Sequence, residues 1–145
     1  MKQLDTLYKF ERDKEIKASQ SLQLAEQDHQ QNKDRLMSVS QYRLEYMKRL
    51  SERSLAGIDS ATYSHFHAFV AKLDHATEQV RIALRQAKSL VEHKQKLWMD
   101  QKRKVEAVEH LQNKKREALL KVGQKREQNM FDEIAIQQFI RRKNV

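Results

Sequence analysis

The chain has 145 residues and a formal net charge of +9 at pH 7, with 34% charged and 39% hydrophobic residues. It contains no proline, no cysteine and two glycines. This composition excludes a thick hydrophobic core, a disulfide framework and any cysteine-based zinc or nucleophilic site, and it favours helix over other regular structure.

A heptad ladder in the first third of the chain predicts a helix from about residue 4 to about residue 53. Its positions alternate in steps of four and three residues, and they are Leu4, Tyr8, Glu11, Glu15, Ala18, Leu22, Ala25, His29, Asn32, Leu36, Val39, Arg43, Tyr46 and Leu50. Because this spacing averages about three and a half residues, one seam of the helix keeps facing a partner helix. The ladder therefore predicts a coiled coil.

One break interrupts the helical pattern, at about residues 54–60. Gly57 suits the left-handed conformation that often ends a helix, and Asp59 or Ser60 is able to accept a hydrogen bond from a free N–H group of the next helix. A connection this short makes two helices antiparallel neighbours. The chain is therefore expected to reverse direction here.

A second ladder predicts a helix from about residue 61 to about residue 140. Its positions are Phe69, Leu73, Ala76, Val80, Ala83, Ala87, Leu90, Lys94, Leu97, Gln101, Lys104, Val108, Leu111, Lys115, Ala118 and Val122. Since this helix is longer than the first, its last turns are expected to project beyond it. The predicted fold is all-α: a long two-helix antiparallel coiled-coil hairpin with a C-terminal helical overhang, in a single domain over residues 1–145.

The predicted overhang keeps an apolar stripe at helical spacing, which indicates a partner. The stripe comprises Met130, Phe131, Ile134, Ala135, Gln138 and Phe139. A disordered tail is the alternative. Near the open end of the hairpin, the antiparallel pairing is expected to bring Glu11 and Glu15 close to Lys104 and Lys115, so that part of the seam is predicted to be ionic.

The sequence offers no catalytic site. His65 and His67 are two residues apart, so on a helix they point about 200° apart and do not share an ion. No phosphate-binding glycine loop, nucleophile elbow or paired-carboxylate cleft is present. We therefore expect no enzyme activity, no metal and no cofactor. The lack of an apolar run of about 20 residues or a signal sequence predicts a cytoplasmic protein.

Two regions stand out as candidate binding surfaces. Large aromatic side chains collect near the turn, and two helices have room to bury only some of them: Tyr42, Tyr46, Tyr63, Phe66 and Phe69. Residues 61–145 carry 18 basic and 10 acidic side chains, so the second helix is the basic one. Ordinary seam packing of the aromatics, and a solvated face for the charges, are the simpler interpretations.

On this outline the chain resembles the FliJ family, the small cytoplasmic coiled-coil component of the flagellar type III export apparatus. The residues that carry the resemblance, beside the hairpin length and the turn, are Tyr42, Tyr46, Phe69, Leu73, Ala76, residues 131–135 and residues 139–142. The resemblance covers essentially the whole chain. Injectisome stalk proteins share the same outline.

The resemblance implies a stalk similar to the coiled coil of the rotary ATP synthase gamma subunit, placed in the hexameric export ATPase FliI and promoting its assembly and activity. The implied ring-binding residues are Leu4, Leu7, Val122, Lys125, Arg126, Phe131, Ile134, Arg141 and Arg142. It also implies that the turn-side region binds the cytoplasmic domain of the export gate protein FlhA, through Tyr42, Tyr46, Phe69, Leu73 and Ala76. Val80 stands where the family can have a histidine.

The same resemblance implies a peripheral position at the inner face of the cell membrane, through the export apparatus, and contact with export chaperones. Two readings from other classes remain. A basic helical hairpin is able to bind nucleic acid or anionic membrane through phosphate contacts, although it lacks a base-reading motif. A structural homodimer that pairs two overhangs is the third reading.

Overall fold

The computed structural model describes residues 2–144, and they form two helices. Helix α1 spans Lys2–Ala56 and helix α2 spans Ser60–Lys143, and the described part of the chain contains no strand. The predicted all-α hairpin is confirmed. Both helices extend a few residues beyond the predicted bounds, and the connection comprises residues 57–59 instead of residues 54–60. None of the described helices is apolar enough over a long enough stretch to cross a membrane.

The connection is built as its residue types predict. Gly57 has a φ of 87°, a region that favours glycine, and its N–H donates to the carbonyl oxygen of Ser54 at 3.3 Å. The Asp59 carboxylate accepts a hydrogen bond from the backbone N–H of Thr62 at 2.9 Å, which caps the start of α2. Hydrogen bonding to Thr62, first through its side chain and then through its backbone, lowers the pKa of Asp59.

The described residues divide into two compact units, and each contains a segment of both helices. The first unit comprises residues up to Glu15 and from Asp100 onward. In it the Asp5 carboxylate accepts from the Gln112 side-chain amide at 3.0 Å, and the Glu11 carboxylate accepts from Gln101 at 2.5 Å. The partner's number falls as the α1 number rises, so the two segments are antiparallel.

The second unit comprises Ile16–Met99. Here Arg43 pairs with Asp74 at 2.5 Å, and the rings of Tyr46 and Phe66 lie 5.1 Å apart. The α1 and α2 segments of this unit are therefore antiparallel as well.

The predicted seam of α1 is confirmed. Every one of its ladder positions is buried or half-buried, and the most buried are Glu15, Ala25, Asn32 and Leu50. The polar members have partners: the Asn32 side-chain amide donates to the carbonyl oxygen of Asp28 at 2.9 Å, and Glu15 is bonded by Arg12. No buried side-chain polar atom within residues 2–144 lacks a hydrogen-bond partner. Polar residues thus interrupt the seam without leaving unpaired groups, which would be costly.

The predicted seam of α2 is wrong at most of its alternate positions. Eight predicted residues are buried or half-buried: Phe69, Leu73, Val80, Ala83, Ala87, Lys94, Gln101 and Val108. At the alternate positions, the residue one further along the chain is also buried or half-buried, and these seam residues are Val70, Thr77, Leu84, Val91, Trp98, Val105 and Gln112. The predicted Ala76, Leu90, Leu97, Lys104 and Leu111 are exposed, as are Lys115, Ala118 and Val122 further along.

The physical reason for this error is that α2 carries two apolar rows one residue apart. Both rows keep the steps of three and four residues, so the heptad spacing alone does not show which row faces α1. The observed row has Leu84 and Val105 where the predicted row has Ala83 and Lys104, and packing against α1 decides between the two rows.

The last part of α2 is helical to Lys143, and every residue from 113 to 144 is exposed. We call residues 113–144 the overhang. The described part of the chain therefore has the predicted helical overhang and not the disordered tail that was the alternative.

Candidate partner-binding surfaces

Four aromatic rings form a contiguous cluster in the second unit, which we call the aromatic cluster: Tyr42, Tyr46, Phe66 and Phe69. The ring centroids of Tyr46 and Phe69 are 4.6 Å apart, and those of Tyr42 and Phe69 are 6.3 Å apart with an edge-on geometry. Tyr42 and Tyr46 are 6.4 Å apart along α1. These separations fall in the range of favourable aromatic pairs. The cluster joins α1 to α2 close to the turn.

Exposure decreases across the aromatic cluster. Tyr42 is 49% exposed, Tyr46 and Phe69 are half-buried, and Phe66 is 9% exposed. The guanidinium of Arg53 lies 5.6 Å from the centre of the Phe66 ring. Phe66 is thus a packing residue, whereas Tyr42 presents an aromatic surface that a partner is able to contact.

The residues predicted to bind the gate are only partly brought together. Tyr42, Tyr46 and Phe69 share the aromatic cluster. Leu73 is half-buried in the seam, and Ala76 is exposed on α2. The predicted gate-binding site omitted Phe66, whose ring lies 5.1 Å from the Tyr46 ring. Its inclusion among the aromatic residues near the turn was the sequence feature that could have identified it.

In the same unit, Arg43 and Asp74 form an ion pair between the helices. Their side chains are 41% and 52% exposed, so the pair contributes little to stability and mainly favours one register. A shallow cleft beside this pair is lined by Leu44 and Arg81, among others. Within residues 2–144, no group of three histidine, aspartate or glutamate residues is placed to hold a metal ion.

The residues predicted to bind the ATPase ring all belong to the first unit, and most of them are free to make contacts. Leu4 is half-buried against α2. The exposed members are Leu7, Val122, Lys125, Arg126, Phe131, Ile134, Arg141 and Arg142. The overhang therefore collects most of this predicted site.

The overhang exposes more apolar surface than the sequence analysis assigned. Its large apolar side chains are between 44% and 66% exposed: Leu119, Leu120, Val122, Met130, Phe131, Ile134, Ile136, Phe139 and Ile140. Phe131 and Ile136 point about 140° apart around the helix, so the apolar surface is not confined to one face. The overhang also carries nine basic side chains: Lys114, Lys115, Arg116, Lys121, Lys125, Arg126, Arg141, Arg142 and Lys143. Such a helix suits an enclosing partner better than a flat one.

The predicted ionic seam at the open end is wrong. Glu11 takes its hydrogen bond from the uncharged Gln101, and Glu15 is bonded by Arg12 on its own helix. Lys104 and Lys115 are exposed, because the seam of α2 runs one residue away from Lys104. The hydrogen bond with Glu15, followed by its charge, raises the pKa of the Arg12 guanidinium.

Comparison with known proteins adds to this geometry. A model of the flagellar FliJ protein family matches residues 1–144. The chain belongs to this family. It is 29% identical over 106 residues to the flagellar FliJ protein of Salmonella typhi, a match that covers 73% of this chain and 72% of the relative. The flagellar FliJ protein of Escherichia coli (strain K12) is 28% identical over the same length and coverage.

No solved structure matches the chain. The family membership confirms the resemblance read from the sequence and makes the chain a component of the flagellar export apparatus. This family is the flagellar one, and not that of the injectisome proteins that share its outline.

Proposed function

We propose that this FliJ family member is a cytoplasmic, non-enzymatic connector of flagellar type III export, which binds the export ATPase through the first unit and the export gate through the second. The observation that supports this most is the presence of two different exposed surfaces in separate units. One is the apolar and basic overhang, and the other is the aromatic cluster with its exposed Tyr42. In this proposal the chain lies at the inner face of the membrane only through its partners.

The overhang would occupy the centre of the FliI hexamer and promote its assembly. A helix in the middle of a ring meets protein on all sides, and this agrees with apolar side chains such as Phe131 and Ile136 that point in different directions. The exposed Lys125, Arg126 and Arg141 would pair with acidic groups of the ring and fix its orientation.

The aromatic cluster would bind the cytoplasmic domain of FlhA. Binding energy at interfaces concentrates in a few aromatic anchors, and Tyr42 is the cluster member with the most exposed ring. The rings of Tyr46 and Phe69 lie 6.4 Å and 6.3 Å from the Tyr42 ring, and these contacts would reduce the side-chain freedom that Tyr42 loses on binding. The neighbouring exposed Ala76 would leave room for the partner's backbone.

The test uses purified partners and two variants, each of which should impair binding to one partner only. Tyr42→Ala should weaken binding to the gate domain roughly 10-fold or more while leaving ATPase stimulation unchanged. The Phe131→Ser and Ile134→Ser double variant should do the reverse. Met37→Ala, which is 71% exposed and outside both surfaces, is the control. If either variant affects both partners equally, or neither, the two-surface assignment is wrong.

A further inference from the structure

The apolar row of α2 that stands one residue before the seam forms a second surface, in which Ala76, Leu90 and Leu97 are exposed and Phe69 and Ala83 are half-buried. It repeats every seven residues within the second unit, and we call it the flank stripe: Phe69, Ala76, Ala83, Leu90 and Leu97. Leu90 and Leu97 are 43% and 45% exposed. Each member stands immediately before a seam residue, for example Leu90 before Val91, so the stripe runs along one flank of the seam.

Helix α1 does not cover the flank stripe with apolar side chains. The corresponding flank of α1 repeats every seven residues and stands immediately before the seam residues Leu22, His29, Leu36 and Arg43. Its members are Ser21, Asp28, Arg35 and Tyr42, and only the last is aromatic or apolar. In a two-helix coiled coil the apolar surface is limited to two positions per heptad, whereas a helix with apolar residues at three positions per heptad packs against more than one neighbour. Helix α2 has the second pattern and one neighbour in this unit.

The flank stripe begins at the aromatic cluster, because Phe69 belongs to both and contacts the Tyr42 ring at 6.3 Å. From Phe69 to Leu97 it extends over 28 residues of one helix, or about 42 Å. A surface one residue wide, several turns long and repeating every heptad is complementary to another helix that runs alongside it.

We propose that the flank stripe seats an amphipathic helix of the same partner that engages the aromatic cluster, so that a third helix packs beside α1 and α2. The inference rests on the proposed function, since it takes the gate domain as that partner. It assigns a binding role to Leu90 and Leu97, which lie several turns beyond the cluster. The occupant is a helix with apolar residues every three or four positions.

The test uses the full chain with Leu90→Gln and Leu97→Gln combined, measured for binding to the gate cytoplasmic domain. Glutamine keeps helix propensity and removes the apolar contact, so thermal unfolding should be unchanged. Binding should weaken roughly 10-fold or more. The matched control combines Met37→Gln and Leu44→Gln, which have the same spacing of seven residues, are both 71% exposed and lie away from the stripe. The control should bind like the wild type.

A second measurement identifies the occupant. Photo-crosslinkers placed at Ala76, Leu90 and Leu97 should capture gate-domain residues that are seven apart on one helix. Crosslinks to a second copy of the chain, with a dimer in sedimentation that the glutamine variant abolishes, would overturn the proposal in favour of self-association. Wild-type binding by the glutamine variant while Tyr42→Ala is defective would refute this inference alone, whereas wild-type binding by both would refute the proposed function.

Discussion

The second unit and the overhang use the same kinds of residue with opposite results. In the second unit, heptad-spaced side chains such as Ala25 and Leu50 are 5% and 6% exposed because two helix segments face each other. In the overhang, Leu120 and Phe131 are 66% and 65% exposed on one helix. The comparison shows that the apolar seam residues of the hairpin are used in folding, whereas the apolar residues of the overhang remain available for a partner.

The largest expected effect comes from removing most of the overhang. A chain truncated after Lys121 should lose all stimulation of the export ATPase, yet its hairpin should unfold at nearly the wild-type temperature, because the residues removed are exposed throughout. Circular dichroism melting and an ATPase assay measure the two properties. Retained stimulation would show that the overhang is not the ATPase contact, and a large fall in the melting temperature would show that it supports the hairpin.

Within the aromatic cluster, burial should separate two neighbouring rings. Phe66→Ala should lower the free energy of unfolding by about 3 to 5 kcal/mol because it empties a buried site. Tyr42→Ala, at a position 49% exposed, should lower it by only about 1 kcal/mol through lost ring contacts. Urea denaturation measures both. Equal losses of unfolding free energy in the two variants would mean that Tyr42 is a packing residue like Phe66. The assignment of Tyr42 to partner binding would then be wrong.

The shifted seam of α2 is tested by a pair of variants in the first unit. Val105 is 3% exposed, so Val105→Ala should cost about 2 kcal/mol, while Leu111→Ala at a site 51% exposed should cost less than about 0.5 kcal/mol. The originally predicted ladder contains Leu111 and excludes Val105. If Leu111→Ala lowers the free energy of unfolding more than Val105→Ala in the same denaturation experiment, the originally predicted ladder is the correct seam.

A glycine in the overhang should be replaceable without harm to the fold. Gly123 lies inside α2 with no atom within 4 Å of the position of an added Cβ, and its φ is not positive. Gly123→Ala should therefore raise helix stability by about 0.5 to 1 kcal/mol. Helicity of the overhang, followed by hydrogen exchange, reports this. Reduced ATPase binding by the more stable variant would indicate that a partner approaches closely at this glycine.

The smallest effect concerns the cap of α2. Its hydrogen bonds from Thr62 lower the pKa of Asp59, so the contribution to stability is present above the unfolded pKa of about 3.9 and is lost as the pH falls through the folded pKa. Asp59→Asn keeps an acceptor but does not titrate. The difference between the melting temperatures of wild type and variant should therefore begin to shrink as the pH falls below about 4, and it should vanish once the pH is below the folded pKa. A difference in melting temperature that stays constant from pH 7 to pH 2 would show that folding does not change the pKa of Asp59.

Much of the fold was predictable from local sequence. The α1 ladder was correct at every position, because this helix has one row of side chains at coiled-coil spacing. The turn was predictable because Gly57 supports a positive φ and Asp59 supplies an acceptor for Thr62. The aromatic cluster was recognisable from the aromatic residues near the turn. The burial of each ring was not, since packing between the helices buries Phe66 to 9% exposure and leaves Tyr42 at 49%.

The sequence alone determined that the chain is helical, that it reverses near Gly57 and that it belongs with coiled coils, because backbone propensity and heptad spacing act within one helix. Tertiary structure alone decided which apolar row of α2 is the seam. Two rows one residue apart differ by about 100° around a helix, and each is periodic. Only packing against α1 selects the row with Leu84 and Val91, and it leaves Leu90 and Leu97 exposed on the flank.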